Sequence, residues 1–588
     1  MNTTIEKLQI ANYRNDIDGL RAVAVLSVLF FHLGYLPNGY LGVDVFFGIS
    51  GYLITKKIQT ETLEHRFSIT QFYIGRIRRI VPLVLVTTLT ALLIGLFVML
   101  PDDFENLSQS VFATNLFANN ILQFITTGNY WDVVNAYKPL MHTWSLGVEE
   151  QFYIVYPLLF LIFIKRSKLI PVVLLILTLL SLGLFLCTSN EASKFYLIQF
   201  RFFELALGGL AAIVFKDKPW SSRYTIILPF ILLTLLLVDL HLPDHLKLIF
   251  VVISTVCLLI AENKSSAWLL ENIVLTGIGK ISFSFYMWHQ IVLAYVRYFI
   301  TDKIGLFESS LIILTILILS LLSFFLIEQP FRDKSRVSTK LLLISTTSLL
   351  VIICSASYFF YTISGIVRNV PELGVYTSDH KKNTGMSDTP VHEAYNSKIQ
   401  QLNNSFTPNG KTKILIIGNS FARDFANILL ESNLKSKIEI SYVRRINDCP
   451  DINERFKLAN YVFFSELEMS QLIALKRKFQ LDTSKAWNVG PKNFGSNNGL
   501  FYNKRRHKDY CIQRTFMTAG FYETNYSLKN QWGHKYIDLI SLVIDKEGKI
   551  PVFTPDCKFI SQDCRHLTQA GAAYYAQLME WNEIFTLP

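Results

Sequence analysis

The chain has 588 residues, of which 51% are hydrophobic and only 17% charged, with 45 Phe, and its mean hydropathy is +0.33; that is too apolar for one ordinary soluble domain. The formal net charge of +11 invites an anionic partner. The Lys and Arg residues of the first 365 positions stand between apolar runs, however, with no basic tail and no aromatic-basic stripe, so nucleic acid is not an expected partner.

Charge divides the chain. Up to residue 365 there are 27 Lys/Arg and 23 Asp/Glu, about 14% charged; the remainder holds 29 and 22, about 23%. An apolar part is followed by an ordinary polar one. In chain order, apolar stretches long enough to cross about 30 Å of hydrocarbon lie near 18–36, 40–58, 78–100, 144–164, 169–188, 195–215, 224–240, 246–262, 281–300, 306–327 and 340–362. The stretch 107–126 is interrupted by Asn115, Asn119, Asn120 and Gln123 and reads as an outside loop or re-entrant element. The expected fold class is a multi-span α-helical membrane domain, about ten spans plus one linking span, followed by an α/β domain.

Orientation follows from the cations between spans. Lys56, Lys57, Arg66, Arg76, Arg78 and Arg79 share one connection; Lys165, Arg166 and Lys168, then Lys216, Lys218 and Arg223, then Lys264 and Lys280, then Arg332, Lys334, Arg336 and Lys340 occupy alternate later ones. The intervening loops carry chiefly Lys138, Lys194 and Lys303. This puts the N-terminus in the cytoplasm and the polar C-terminal part outside. The first span does not read as a cleaved signal, since Asp16 and Asp18 precede it and many spans follow. Cys187, Cys257 and Cys354 fall in or at the ends of spans and read as packing residues. Cys449, Cys511, Cys557 and Cys564 fall in the exported part, where an even set implies two disulfides with three possible connectivities. The expected pairs are Cys449 with Cys511 and Cys557 with Cys564; a zinc site competes, without a CxxC or paired-His spacing to support it.

Ionisable residues inside spans are costly and mark candidate sites. Arg21 and His32, eleven residues apart, share one helix face about 16 Å apart along the axis, Arg21 near the cytoplasm and His32 in the outer half. A snorkelling Arg beside a hydrogen-bonded core His is the bland alternative. His142 stands at the outer entrance of the fourth span, with Glu149 and Glu150 two turns further in, and His289 is mid-span. These suit a proton or substrate path. Arg201 with Glu204 reads as a structural ion pair, and Glu328, Pro330 and Arg332 close the tenth span. Arg76, Arg78 and Arg79 serve topology but also suit a phosphate-rich donor such as coenzyme A.

The run Asn15-Asp16-Ile-Asp18-Gly19-Leu20-Arg21, the Arg-x10-His spacing, Gly42-Val-Asp44-Val-Phe-Phe-Gly-Ile-Ser50-Gly51, the segment from His142 through Trp-Ser-Leu to Glu149, Met-Trp-His289 and Ile-Glu328-x-Pro330 together resemble the membrane acyltransferase-three family over about 350 residues. The resemblance implies an integral-membrane enzyme that takes acyl groups, usually acetyl, from cytoplasmic acyl-CoA and delivers them to glycans outside. Carried over by motif, Arg21, His32 and the Arg76/Arg78 pair are the positions tied to activity. Gly48 departs from the bulkier apolar residue usual there, with local packing consequences expected.

In the polar part, 363–411 shows little periodicity and reads as a linker or as an extension packed on the next domain. Lys413-Ile-Leu-Ile-Ile417 then reads as a strand, Gly418-Asn419-Ser420 as a turn and Phe421 onward as a helix, which exposes a serine among backbone N–H groups. Near the end, Asp563-Cys-Arg-His566 can set a carboxylate on one imidazole nitrogen while the other faces a serine. Between them, Gly490-Pro-Lys-Asn493 offers an amide to an oxyanion. The three blocks resemble the SGNH hydrolase family, with Ser420, Asn493, Asp563 and His566 in family order; Asn419 stands where Asp is usual, and no counterpart of the second-block glycine is identified.

The domains expected are a membrane acyltransferase domain at 1–335, a linking helix at 336–365, a linker at 366–411 and an exported SGNH-like domain at 412–588. The expected function is O-acetylation, moving acetyl from cytoplasmic acetyl-CoA across a bacterial inner membrane to a cell-envelope glycan, with lipid-linked lipopolysaccharide O-antigen as acceptor, membrane lipid as surroundings and no metal. Peptidoglycan as acceptor, a glycan acetyl-esterase and a lipid-linked glycan transporter are the alternatives.

Overall fold

The computed structural model describes residues 13–585 apart from 127–132, 217–225, 262–266, 302 and 379–389. Lys218, Arg223 and Lys264 of the charge pattern lie outside the described residues. The chain divides into two compact units, one formed by Met1–Phe97 with Asn106–Phe359 and the other by Val98–Glu105 with Phe360–Pro588.

The first unit is helical, and each of the eleven expected stretches carries a helix. Among the described residues, six are long and apolar enough to cross a membrane: Ile69–Val98, Met141–Phe163, Ile170–Cys187, Glu191–Val214, Leu306–Arg332 and Thr339–Thr362. The sequence count of eleven is therefore not matched by that criterion. Leu228–Leu237 and Asp244–Ile260 are shorter than a full crossing. Asn15–His32, Gly42–Leu63 and Ser282–Phe299 carry Asp16, Asp18 and Arg21, then Asp44, Lys56 and Lys57, then His289, Gln290 and Arg297.

These polar helices sit within the bundle. Gly42–Leu63 crosses the helix Ile198–Val214 so closely that a Cβ on Gly51 would stand 1.8 Å from the Leu205 carbonyl oxygen and one on Gly208 would stand 2.1 Å from that of Gly48. Small residues at such a crossing let backbones approach where lipid supplies no hydrophobic drive; Gly48 itself faces the helix Asp244–Ile260, where a Cβ would stand 3.1 Å from Thr255 Cγ2. The stretch 107–126 is helical rather than a loop. It forms parts of two helices, Pro101–Asn115 and Asn119–Thr126, whose amides turn inward: Asn119 donates to the Leu140 carbonyl at 2.9 Å and Asn120 to that of Tyr196 at 3.1 Å. Inward hydrogen bonds remove the cost that made these amides look like loop residues.

The second unit is an α/β domain. Its main sheet has strand order β2-β1-β3-β4-β6, with β1 at Thr412–Ile417, β2 at Ile438–Val443, β3 at Tyr461–Ser465, β4 at Ala486–Val489 and β6 at Tyr536–Ile537, and every pairing is parallel. A second, antiparallel pair joins β5 (Arg514–Phe516) to β7 (Lys549–Pro551). The apolar run of β1 follows from burial on both faces. Ile414 and Ile416 pack with Phe425, Phe463 and Tyr575 on one side, and Leu415 and Ile417 with Ile452, Val462 and Trp532 on the other. Of the two readings of 363–411, the packed extension describes Pro390–Gln400, a helix that buries Ile399 in the first of these clusters.

The disulfide expectation is corrected. Cys511 pairs with Cys557, with Cα atoms 5.0 Å apart, because β5 and β7 pair antiparallel and bring the segments flanking them together. Cys449 and Cys564 are buried free thiols. Burial and a hydrogen bond to Asp451 push the Cys449 thiol up to about 11, and burial beside Asp563 pushes that of Cys564 well up. Neither is a thiolate at neutral pH.

Candidate functional site

The C-terminal unit assembles its site at the carboxyl end of β1, where the strand order changes direction, the usual ligand position in open α/β sheets. Gly418 has φ +145°, and a Cβ there would stand 2.6 Å from the Ser465 hydroxyl, so the turn needs glycine. Asn419 caps the helix Ser420–Glu431, its side chain accepting from the Phe421 N–H at 2.9 Å. The strand and the cap together fix Ser420 at the first position of the helix.

The hydroxyl of Ser420 lies 2.6 Å from His566 Nε2, and His566 Nδ1 lies 2.6 Å from Asp563 Oδ2. Asp563 Oδ1 also accepts from the backbone N–H groups of Arg565 and His566, at 3.0 and 2.7 Å. One carboxylate thus shapes the turn and orients the imidazole. Partial desolvation of this side chain, which stays 40% exposed, acts to raise its pKa, but the His566 imidazole and these N–H groups outweigh that and hold the carboxyl well below the usual range. With Nδ1–H donating to Asp563, Nε2 is the free base facing the serine, the arrangement that activates a hydroxyl for attack on an acyl carbon.

Asn493 is buried beside this turn. Its Oδ1 accepts from the N–H groups of Gly495 and Thr518 at 3.0 and 2.8 Å, and its Nδ2 reaches the Cys564 carbonyl at 3.4 Å. Two residues the sequence reading missed tie the three blocks together. Asp424, fully buried one helical turn after Ser420, lies 2.7 Å from the Lys492 ammonium and accepts from the Leu567 N–H at 2.9 Å. Lys492 precedes Asn493 and lies 4.1 Å over the Phe421 ring, while Leu567 follows His566. The only sequence signal was a charge beside each motif: Asp424 four residues after the serine and Lys492 next to the Asn.

The membrane unit gathers its polar residues in two places. A cavity is lined by Arg21, Arg76, Arg79, Glu149, Tyr153 and Tyr286, among others. A second recess shares Arg21 and Arg79 and adds Asp18, Lys280 and Arg332. Glu149 accepts from Ser50 at 2.5 Å and from Tyr153, and Arg76 stacks over the Tyr153 ring at 4.5 Å. Arg78 is placed otherwise than Arg76: it donates to the Phe331 and Val337 carbonyls at 2.9 and 2.8 Å and to Thr339 at 3.0 Å. On a helix, residues 76 and 79 share a face that 78 does not, so Arg79 takes the cavity position.

The three histidines converge. The rings of His32 and His289 are 5.5 Å apart and those of His142 and His289 5.0 Å. Tyr286, one turn before His289, touches both His142 and His289 at 5.2 and 5.1 Å while lining the cavity, and its hydroxyl lies 2.6 Å from that of Ser145. Glu149 belongs to the cavity rather than to the histidine cluster. Arg201 bonds Asp44 as well as Glu204, both at 2.9 Å, a buried triad of packing helices. Among the described residues no group of three or more His, Cys, Asp or Glu is arranged to hold a metal ion.

Comparison with known proteins bears on the membrane unit. The chain is 32% identical over 368 residues to a protein of Staphylococcus aureus (strain MSSA476) named as a candidate O-acetyltransferase, covering 57% of this chain and 60% of that one. It is 30% identical over 360 residues to the O-acetyltransferase OatA of Staphylococcus aureus (strain NCTC 8325 / PS 47), covering 56% and 59%. The chain thus spans about 60% of the length of these relatives. No solved structure matches it. The family described as acyltransferase domain matches residues 14–329, more than half of the chain and the whole span of the membrane motifs, and the protein belongs to this acyltransferase-three family.

Proposed function

We propose that this protein is an O-acetyltransferase that carries acetyl from cytoplasmic acetyl-CoA across a bacterial inner membrane to hydroxyls of a cell-envelope glycan, with lipid-linked O-antigen as the acceptor. The observation that carries the reading is the Ser420–His566–Asp563 constellation in a chain whose other unit belongs to an acyl-transferring family. Acetyl-CoA is a substrate here. The cations Arg21, Arg76, Arg79, Lys280 and Arg332 around the two recesses suit its phosphates, as planar or point-charge donors to oxygen.

His32, in ring contact with His289, serves the membrane step as base or transient acyl acceptor, and coenzyme A leaves as the thiol. His142 and Glu149 belong to the path for substrate or proton. Outside, Ser420 Oγ attacks the acyl carbon while its proton passes to His566 Nε2; the C–O bond to serine forms as the bond to the preceding carrier breaks, and His566 gives that proton to the departing carrier. A sugar hydroxyl then gives its proton to the freed Nε2 and attacks the acetyl-serine, and the proton passes to Ser420 Oγ as its bond to the acetyl breaks. Asp563 holds the imidazole in the tautomer this requires and stabilises its cation, and Asn493 is the candidate oxyanion donor. The disulfide Cys511–Cys557 fits an oxidising compartment for the C-terminal unit, hence a cytoplasmic N-terminus.

The test is mass spectrometry of envelope glycans from cells expressing wild type, His32→Ala or Ser420→Ala. Acetylation with the wild type and loss in both variants is expected, and the fraction that carries the acetyl names the acceptor, O-antigen or peptidoglycan. Higher acetylation in Ser420→Ala makes the outer unit an esterase. Identical acetylation in all three overturns the acyl-transfer reading and favours transport.

A further inference from the structure

The segment Lys504-Arg505-Arg506-His507-Lys508 has no part in the chemistry above. It is a compact exposed turn, closed by backbone bonds from the Lys504 N–H to Phe501, from Arg505 to Tyr502 and from His507 to Lys504. Arg505, Arg506, His507 and Lys508 are exposed, and among the described residues none of the five forms a salt bridge with a carboxylate. A run of unneutralised cations in an outer domain ordinarily faces only water.

Its location argues otherwise. Asn503, the residue before the run, donates to the carbonyl of Val98 at 3.0 Å, and Val98 is the last residue of a membrane-length helix. Tyr502 and Tyr510, on either side of the turn, lie in one apolar cluster with Leu100 and Ile366, which follow that helix and the helix Thr339–Thr362. Arg368 bonds the Met99 carbonyl and lies over the Tyr502 ring. The turn is therefore fastened to the residues that follow two membrane-length helices, Ile69–Val98 and Thr339–Thr362, whichever way round the protein is inserted. Five residues span at most about 18 Å fully extended, and this turn is folded, so its cations stand within reach of the headgroup layer.

We propose that Lys504–Lys508 is an interfacial phosphate-binding site through which the C-terminal unit engages anionic lipid at the membrane surface. Cations within a Debye length, about 8 Å at physiological salt, are drawn to such a surface. The chain order explains why the run does not disturb insertion, since it lies far beyond the loops that set topology. The helix Asn498–Tyr502 leads back to the active turn: Asn498 donates to the carbonyls of Ser561 and Gln562, both at 2.9 Å. Binding at 504–508 thus holds the loop of Asp563 and His566 one short helix from the lipid surface. The inference does not rest on the transfer reaction and survives its failure.

Hydrogen exchange of residues 503–509 is to be measured on the full chain in nanodiscs of phosphatidylcholine, of phosphatidylcholine with phosphatidylglycerol, and of phosphatidylcholine doped with a polyprenyl diphosphate. Exchange is expected to slow about threefold or more with phosphatidylglycerol, and the slowing to vanish at high salt. The variant R505Q/R506Q/K508Q is expected to lose the slowing while keeping ester hydrolysis by the triad. Slowing with the polyprenyl diphosphate alone assigns the phosphate to a glycan carrier. Equal exchange in all three discs, or slowing that persists in the triple variant, overturns the proposal.

Discussion

At the scale of single residues, the Ser420 site of the C-terminal unit depends on proton positions. Asp563→Asn keeps the shape of the turn but favours the wrong imidazole tautomer, so hydrolysis of a model acetyl ester by the full chain should fall by about 10³–10⁴-fold with KM little changed. Because the folded state holds the Asp563 carboxyl well below its ordinary value, the folded state binds fewer protons there than the unfolded state. Its contribution is complete above the ordinary carboxylate pKa of about 4 and is lost as the pH falls through the depressed value. Thermal unfolding followed from pH 5 downward should therefore show a shallower loss of stability in Asp563→Asn than in wild type. The triad was legible in the sequence because each member lies in a short motif with its own turn chemistry. Asp424 and Lys492 were not, because a buried ion pair between residues 68 positions apart leaves no local spacing to read.

That pair joins residue to element, since it touches the serine helix, the Asn493 loop and the backbone after His566. Removing one partner leaves a buried charge, so Asp424→Ala should cost about 3–5 kcal/mol. The double variant Asp424→Leu with Lys492→Met should recover part of that in a chemical unfolding titration, since buried Arg423, 3.6 Å from the other Asp424 oxygen, still loses its carboxylate. It should not recover full ester hydrolysis, because the Leu567 N–H that positions the His566 loop still lacks its acceptor. Recovery of both would reduce the pair to packing. In the membrane unit, the helices Gly42–Leu63 and Ile198–Val214 meet through Gly51 and Gly208. Gly51→Leu should abolish accumulation of folded protein, since a side chain there meets backbone that cannot give way. Fluorescence-detected size exclusion in detergent would reveal it. Hydropathy located these helices but could not tell a lipid-facing crossing from a polar helix wrapped by others. Asn15–His32 and Ser282–Phe299 are polar because they carry Asp16, Asp18 and Arg21, and His289, Gln290 and Arg297.

For the whole molecule, the disulfide Cys511–Cys557 closes a loop of 46 residues. Its replacement by Ser at both positions should lower the unfolding free energy of the C-terminal unit by about 4 kcal/mol or less, whereas Cys449→Ser and Cys564→Ser should not expose a new free thiol to a labelling reagent in the folded protein. Thiol counting with and without denaturant measures both. The sequence by itself determined that the chain has an apolar and a polar part, that helices occupy eleven stretches, and that Ser420, Asp563 and His566 stand in motifs able to form a triad. These are local properties: hydrophobic run length, strand-to-turn-to-helix chemistry and short spacings survive without knowledge of partners. The tertiary structure alone decided which cysteines pair, that Arg79 rather than Arg78 faces the cavity with Arg76, that Tyr286 connects that cavity to His142 and His289, and that a buried Asp–Lys pair binds the motifs of the C-terminal unit together. These rest on packing between segments apart in sequence, from 46 positions for the cysteines to 253 for Arg78 and Phe331, where the neighbour sets burial, and burial sets which polar groups must find one another.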